Sequence, residues 1–295
     1  MIEINTKTDI DLNINKNDET HQSHKGKGVD GNSHGVSSNT LTIGITGELA
    51  NQHHQICEFL SKLHEHHCQE MNIKILLLAS CEHGRLIPLL SQFTQQGLTF
   101  NKVVMTQYQQ LVDVTKVMQP DIVMTTDTVF AEQLEGNSLP VIVVDQNENN
   151  RVLGKQLHFS FDGDAVLFCH NAQTIADQQG IAAFEEHEQK YAGIEMGKGV
   201  LYNFIKKIDV LQNVNKGIKW SLVTARGGKA LKRAMHTIEQ WQLSPSQCFF
   251  MEGSDKTPIL KIIDSDIFFD DHPKHCQRAS GHMLVGHVQV GSQTN

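Results

Sequence analysis

The stretch "FDGDAVLF", residues 161–168, decides how this chain is interpreted, because two carboxylates, Asp162 and Asp164, interrupt an otherwise apolar run. A buried strand avoids charge, since an unpaired carboxylate that is taken out of water is strongly unfavourable. The stretch is therefore either the end of a strand whose charges face solvent or a place where the charges hold something. The rest of the sequence decides between these two interpretations.

Short apolar runs lie on both sides of this stretch and alternate with amphipathic, helix-like segments. The runs of the first half are "LTIGIT" (41–46), "IKILLLAS" (73–80), "KVVMT" (102–106), "DIVMTTD" (121–127) and "PVIVVD" (140–145). Those of the second half are "LHFSFDGDAVLF" (157–168), "KWSLVTAR" (219–226), "QCFFMEG" (247–253), "SDIFFDD" (265–271) and "GHMLVGHVQVG" (281–291). Strand-like runs that alternate with helical periods are typical of a parallel sheet covered by helices. The predicted fold class is α/β.

The chain divides into three parts. Residues 1–40 are polar and lack a sustained period, so they are predicted to be a disordered tail. Residues 41–150 and 151–295 follow the same scheme, which indicates either an internal duplication or a chance match between short strands. If the halves are copies, Thr46 and Glu48 stand where the second half has its two carboxylates. The first half is therefore predicted to be a non-catalytic α/β half.

Composition excludes several functional classes. The formal net charge of -8 argues against a general nucleic-acid binder, which needs basic patches to neutralise phosphates. No apolar run is long enough to span a bilayer, and residues 1–20 lack the basic-then-apolar pattern of a signal peptide. The six cysteines form no CxxC pair, which is typical of free thiols in a reducing compartment. We expect a cytoplasmic protein with neither nucleic acid nor membrane as a partner.

Polar side chains follow three of the predicted strands of the second half. They are Asp162 and Asp164, Thr224 and Arg226, and Asp270 and Asp271. Ligands of parallel α/β sheets bind beyond the carboxyl ends of the strands, so we expect these residues to meet. A lysine, Lys256, follows a further strand-like run.

The order of these motifs resembles that of the haloacid dehalogenase-like phosphohydrolases. The motifs that carry this resemblance are "DGDAV", "VTAR", Lys256 and "FFDD". Within that group, "FDGDAVLF", "AFEEHE", "SLVTAR" and "IFFDDH" resemble the cytosolic type I 5′-nucleotidases. The resemblance is strong over residues 155–280 and weaker over 41–150, and the segment "GGKALKRAM" is shorter than the loop of that family. It implies a Rossmann-like parallel sheet of the haloacid dehalogenase type with an inserted helical cap.

Residue type and resemblance together suggest a mechanism of phosphoryl transfer. A carboxylate can attack a phosphoryl group, and Asp162 is the candidate nucleophile. A second carboxylate two residues on, Asp164, can protonate the leaving alcohol and then activate water. Thr224 and Lys256 are the candidates for holding the phosphate oxygens and neutralising their charge.

Several carboxylates that converge at one sheet edge would repel one another without a cation. Mg²⁺ suits a site with few protein ligands and several waters. The expected ligands are Asp162, the backbone carbonyl of Asp164, and either Asp270 or Asp271.

The cap is expected at about residues 170–218, as two helices joined near "AGIEMGKG", residues 192–199. Phe184 could stack on a base or simply be a helix-core residue. His187 could meet the ribose or base or lie on a plain surface, and Lys198 could contact phosphate or belong to a helix connection. Arg226 is the remaining candidate for substrate binding.

The predicted function is Mg²⁺-dependent hydrolysis of nucleoside 5′-monophosphates. The alternatives are a related phosphatase acting on a sugar phosphate or another small phosphomonoester, and a non-catalytic nucleotide-binding sensor. Homo-oligomerisation is left open by the sequence.

One further cluster invites a different interpretation. His53, Cys57, His64 and Cys68 lie near one stripe of a predicted helix, where they could bind zinc or form a polar face beside the apolar one. His272 and His275, which follow the acidic pair, could support the proposed site.

Overall fold

The structure is a computed structural model. It describes residues 39–80, 86–95, 97–134, 139–145 and 151–290. The predicted polar tail, residues 1–40, lies outside the described residues except for its last two.

In this part of the chain, ten strands form a single sheet. The strands are β1 Thr40–Thr46, β2 Asn72–Ser80, β3 Lys102–Thr106, β4 Ile122–Thr125, β5 Val141–Val144, β6 Leu157–Phe161, β7 Ile218–Thr224, β8 Gln247–Phe250, β9 Ile267–Asp270 and β10 Leu284–Val288. Their order is β3-β2-β1-β4-β5-β10-β9-β6-β7-β8. Neighbouring strands are parallel except for β5 and β10, which pair antiparallel. The predicted α/β class with a large, mostly parallel sheet is confirmed.

Helices cover both faces of this sheet. They are α1 Gly47–Gln52, α2 His54–Glu65, α3 Leu86–Gln95, α4 Tyr108–Met118, α5 Thr128–Leu134, α6 Asn171–Gln179, α7 Ile181–Lys190, α8 Tyr202–Val214, α9 Leu231–Gln240, α10 Thr257–Ile262 and α11 Pro273–Ala279. A short 3-10 helix at Gly228–Ala230 precedes α9. None of the described helices combines the length and apolar composition needed to cross a bilayer.

The largest core lies on one face of the sheet and runs through both halves of the chain. Helix α2 packs into this core because its apolar residues recur at helical spacing and form one buried stripe. One of them, Phe59, packs edge-on against Phe159 of β6 with ring centroids 5.2 Å apart. The other face carries two separate clusters, one under α4 and α5 and one under α10 and α11. The two halves therefore share one core and form one compact unit from Ser38 onward.

The two halves repeat one strand order. The first half runs β3-β2-β1-β4-β5, and the second half runs β8-β7-β6-β9-β10. Helices α2 and α3 share the main core with α8 and α9, while α4 and α5 occupy the other face as α10 and α11 do. Helices α6 and α7 are additional, since α8 alone provides the connection that packs against β7.

The sequence prediction of two helices between β6 and β7 is wrong in one respect, because there are three helices. Gly180, with a φ of 87°, ends α6 and begins α7. The predicted cap of about residues 170–218 contains these two helices, the connection 191–201 and α8. Phe204 and Ile208 of α8 are buried in the main core, and so are Met196 and Leu201 of the connection. Among the described side chains, those of α6 and α7 are not part of this core.

Candidate active site

Three neighbouring parallel strands, β9, β6 and β7, end at the same edge of the sheet. Asp162 directly follows β6 and donates its backbone N–H to the carbonyl of Phe269, 2.9 Å away. Thr224 is the last residue of β7 and Asp270 the last residue of β9. The parallel register therefore brings together the residues that the sequence predicts at these ends.

A tight turn follows Asp162. Gly163 is required here, because a Cβ at this position would lie 2.7 Å from Oγ1 of Thr224. The carbonyl of Gly163 accepts hydrogen bonds from the N–H groups of Leu167 and Phe168, at 2.9 and 2.8 Å. Ala165, between them, has a φ of 63°, in the left-handed region that disfavours a residue with a Cβ. The turn places the carboxylate of Asp164 beside β7.

Lys256, immediately before α10, lies between two carboxylates. Its Nζ is 2.6 Å from Oδ1 of Asp162 and 2.7 Å from Oδ2 of Asp270, and the lysine is 1% exposed. Burial alone would lower the pKa of Lys256, but the two carboxylates outweigh burial and raise it. The lysine therefore brings a permanent positive charge to the end of β6.

Asp270 is held by several donors. Its Oδ1 accepts the backbone N–H of His272 at 2.7 Å, and its Oδ2 lies 3.1 Å from Nδ1 of His275. Burial opposes ionisation, but the hydrogen bond from His275 and the charge of Lys256 lower the pKa of Asp270. Asp270 is therefore an ionised carboxylate whose two oxygens are already in use. The sequence left the role of His275 open, and in the structure this residue contacts Asp270.

Carboxylate oxygens of Asp162, Asp270 and Asp271 lie within 4.8 Å of one another. Burial raises the pKa of Asp162 well above its ordinary range, although Lys256 opposes the shift. Burial and the neighbouring charge of Asp270 raise the pKa of Asp271 to about 6. Hard cations bind oxygen ligands, so a largely buried set of converging carboxylates fits a divalent cation.

The carboxylate of Asp164 points to a different partner. Arg226 donates from Nε to Oδ2 at 2.8 Å and from Nη2 to Oδ1 at 2.7 Å, which makes a bidentate ion pair. Arg226 also donates from Nη1 to Oε2 of Glu188. The contribution predicted for Asp164 at the metal is its backbone carbonyl, and this stays a prediction. Arg226 is likewise committed to carboxylates of the protein, and its predicted contact with substrate stays a prediction.

The three predicted cap residues have different neighbours. The ring of Phe184 stacks near the Arg226 guanidinium, with its centroid 5.4 Å from Cζ. His187 is half-buried, and its Nδ1 lies 3.0 Å from Oε1 of Glu188. Lys198 is exposed, and its Nζ lies 4.4 Å from the centroid of the Tyr202 ring. Only Phe184 contacts a residue that binds Asp164.

Glu188 was not anticipated from the sequence. It is fully buried, and its Oε1 accepts from Nη1 of Arg233 at 2.8 Å. The available signal was its place four residues after Phe184, which puts both side chains on one face of α7. That placement alone does not show that the carboxylate is buried.

Two members of the histidine- and cysteine-bearing stripe predicted along α2, His53 and Cys57, form hydrogen bonds within the protein. Nδ1 of His53 accepts the N–H of Ile56, and Sγ of Cys57 donates to the carbonyl of Ala50. Among the described residues, the acidic cluster at the sheet edge is the only group of three or more metal-ligating side chains. The zinc alternative therefore finds no support here.

Comparison with known proteins identifies the family to which this chain is similar. The family model for 5′-nucleotidase matches residues 50–295. Human cytosolic 5′-nucleotidase 1B is 24% identical over 230 residues, which are 74% of this chain and 38% of that protein. The chain thus spans well under half the length of this relative.

Two solved structures show weaker likenesses. A universal stress protein from Archaeoglobus fulgidus DSM 4304 has a TM-score of 0.44 at 8% identity, over 85% of this chain and 97% of that one. The S. aureus MnaA-UDP co-structure has a TM-score of 0.23 at 10% identity, over 83% of this chain and 78% of that one. Neither likeness says what this chain does. The family model matches residues 50–295, which are most of the chain, and the chain therefore belongs to the 5′-nucleotidase family.

Proposed function

We propose that this protein is a Mg²⁺-dependent 5′-nucleotidase, a phosphoric monoester hydrolase that converts nucleoside 5′-monophosphates to nucleoside and phosphate. The observation that carries the proposal is the cluster at the sheet edge, in which Lys256 lies between Asp162 and Asp270 with Asp271 alongside. Family membership and the name of the human relative support the substrate class. The same relative supports a cytoplasmic location.

Asp162 attacks the phosphorus and forms an aspartyl-phosphate, while the bond from phosphorus to the nucleoside 5′-oxygen breaks. Asp164 gives a proton to that oxygen and later takes one from the water that hydrolyses the phosphoenzyme. Lys256 and the hydroxyl of Thr224 hold the phosphate oxygens and offset their charge. Lys256 lies 2.6 Å from Oδ1 of Asp162, and the Thr224 hydroxyl lies beside Gly163, the next residue along the chain, which supports these roles.

Asp162, the backbone carbonyl of Asp164 and Asp271 would hold the Mg²⁺ ion. Asp271 is favoured over Asp270 because both oxygens of Asp270 already accept hydrogen bonds. When bound, the ion would neutralise charge on the phosphate and on the converging carboxylates.

The finer architecture belongs to the same proposal. The shared strand order of the two halves supports an internal duplication, and the carboxylates at the ends of β6 and β9 support a fold of the haloacid dehalogenase type. In this scheme α6, α7 and the connection 191–201 form the cap, and Phe184, His187 and Lys198 contact the nucleoside or phosphate. The first half has no catalytic role.

The first test is phosphate release from a panel of nucleoside monophosphates and sugar phosphates, with and without Mg²⁺. Mg²⁺-dependent release from nucleotides, absent in Asp162→Asn, is expected. Release from sugar phosphates alone would keep the chemistry and remove the nucleoside pocket. Nucleotide binding without any release would favour the sensor.

A second test reads the cation without activity. Mg²⁺ at ten times its dissociation constant should stabilise the fold by about 1.4 kcal/mol, seen as a raised melting temperature. Asp271→Asn should remove most of this gain. Asp127→Asn, a carboxylate after β4 in the first half, should keep it. An equal Mg²⁺ effect in both variants would place the cation elsewhere.

A further inference from the structure

A chain of buried charges connects the end of β6 to the cap. Arg226 binds Asp164 on one side and Glu188 on the other, and Glu188 also binds Arg233 of α9. Arg226 is 3% exposed and Glu188 is 0% exposed. The carboxylate proposed to transfer protons is thus two ion pairs away from helix α7.

Aromatic rings keep the central guanidinium in place. The ring centroids of Phe168 and Phe184 lie 5.6 and 5.4 Å from Cζ of Arg226. Phe168 belongs to the turn after β6, and Phe184 belongs to α7. Helix α7 therefore contacts Arg226 with two side chains, one apolar and one charged.

A buried guanidinium needs a counter-charge, because an unpaired buried charge is strongly destabilising. Asp164 takes part in the proposed reaction, whereas Glu188 stands outside it and pairs with both Arg226 and Arg233. Glu188 is completely buried, so these two guanidinium groups hold its carboxylate in place. Arg226 therefore has a second counter-charge that takes no part in the proposed chemistry.

We propose that Glu188 is a positioning residue for the reaction: from the cap helix α7 it fixes Arg226, and through Arg226 it fixes the carboxyl group of Asp164. The inference rests on the proposed function, because it concerns the same proton transfer. It ties the seating of α7 to the placement of the proton donor. The proton itself passes from Asp164 to the nucleoside 5′-oxygen as the phosphorus–oxygen bond breaks.

The test compares two substrates that differ in one atom. One is the best nucleoside 5′-monophosphate of the wild-type protein, and the other is its analogue with sulfur in place of the bridging 5′-oxygen. A thiolate leaves without a proton far more readily than an alkoxide, because a thiol has a pKa of about 8.5. The ratio of kcat/KM for the two substrates therefore reports proton donation. A partial loss of folded protein lowers both values equally and leaves the ratio unchanged.

Glu188→Gln should lower kcat/KM for the oxygen substrate about 100-fold and for the sulfur substrate less than about threefold. Asp164→Asn should show the same selectivity, and adding Glu188→Gln to it should cause little further loss. Glu185→Gln is the matched control, because this residue lies on the same helix and its partner, Lys229, is 3.6 Å away at the surface. Glu185→Gln should leave kcat/KM unchanged for both substrates.

Equal losses on the two substrates in Glu188→Gln, or no loss, would overturn the role of Glu188. If Asp164→Asn also lacks selectivity, the proposed proton donor is wrong, and the proposed function needs revision first. Should Glu188→Gln fail to fold, Glu188→Asp keeps the charge and shortens the reach. It should show the same selectivity to a smaller degree, and equal losses of kcat/KM on the two substrates relative to the wild type would reject the proposal.

Discussion

The two halves of the sheet have the same strand order and differ at the edge where their strands end. In the first half, Oγ1 of Thr46 donates to Oγ1 of Thr125 at 3.2 Å, so β1 and β4 end in a neutral pair. The corresponding strands of the second half, β6 and β9, end in Asp162 and Asp270 with Lys256 between them. One backbone arrangement therefore supports a closed polar contact in one half and a charged cluster in the other.

The likeness of the halves extends to hydrogen bonds near the start of the strands. Oδ2 of Asp121 accepts the N–H of Thr42 at 2.7 Å, and Oδ2 of Asp266 accepts the N–H of His158 at 2.8 Å. Each aspartate precedes the fourth strand of its half and binds the first. Such matches in register support the proposed duplication more strongly than the similarity of short apolar runs does.

The glycine after the first strand shows why the halves diverge. A Cβ at Gly47 would lie 3.3 Å from Cβ of Ala79, whereas one at Gly163 would meet Oγ1 of Thr224 at 2.7 Å. The first half continues from this glycine directly into α1, and the second half makes the tight turn that carries Asp164. Charge and turn geometry, rather than strand order, distinguish the candidate site.

The largest difference is expected from the residues after β1 and β6. Asp162→Asn should lower turnover at least about 10⁴-fold, because the proposed nucleophile is lost. Thr46→Val, the change at the corresponding position, should leave turnover within about twofold, since it removes only one hydrogen bond. Phosphate release under saturating substrate measures both. Comparable losses in the two variants would show that the first half takes part in the chemistry.

The next comparison is between two buried lysines, Lys256 at the candidate site and Lys207, which binds a carboxylate of the first half. Lys256→Met leaves two buried carboxylates facing each other, so we expect about 3–5 kcal/mol of lost stability and a 10²–10³-fold fall in turnover, each to order of magnitude. Lys207 of α8, 2.6 Å from Oδ1 of Asp121, is the control. Lys207→Met should also destabilise, by about 1.5–3 kcal/mol, but folded molecules should keep their activity. Urea unfolding and initial rates separate the two effects.

The strands were predictable from the sequence because each is a short apolar run bounded by polar residues. Observed β1, Thr40–Thr46, and β7, Ile218–Thr224, lie within a residue or two of the runs that predict them. The sequence also predicted that Asp162, Thr224 and the acidic pair would lie close together, because the carboxyl ends of parallel strands meet at one edge of the sheet. Sequence order alone is sufficient for this part of the site.

The ionic connection to the cap was not predictable in the same way. Which carboxylate of "EEHE" is buried depends on how α7 lies over the sheet, and the pattern of an isolated helix does not reveal that. Glu186 is exposed, and Glu188 is fully buried. The burial of Glu188 becomes visible only in the folded structure, where Arg226 and Arg233 reach it from other elements.

His158 of β6 should make stability depend on pH, whereas its counterpart Thr42 of β1 cannot titrate. Burial lowers the pKa of His158 to about 4, with its ring held between the carbonyl of Ile263 and the hydroxyl of Ser221. The unfolded chain takes up a proton near pH 6.5 and the folded chain only near 4, so the unfolded state binds more protons between these values. Stability should fall by about 3 kcal/mol as the pH drops through this window.

Urea unfolding at several pH values measures this contribution as a difference between variants. His158→Gln removes the titrating ring and should lose stability less steeply than the wild type as the pH falls. Thr42→Ser, at the corresponding position, should follow the wild-type curve. Parallel curves for wild type and His158→Gln would show that His158 is not the group responsible.

The smallest effect concerns the backbone after the first strand of each half. Ala165 has a φ of 63°, which a residue with a Cβ adopts at a cost, while Ala50 lies in the helix α1 of the first half. Ala165→Gly should therefore stabilise the fold by about 0.5–1 kcal/mol, because relief of strain exceeds the added freedom of the unfolded chain. Ala50→Gly should destabilise by about 1 kcal/mol, because glycine is a poor helix former. If urea titrations give changes in unfolding free energy of opposite sign for the two variants, the backbones of the two halves differ at this turn. A loss of stability in both variants would mean that Ala165 is not strained.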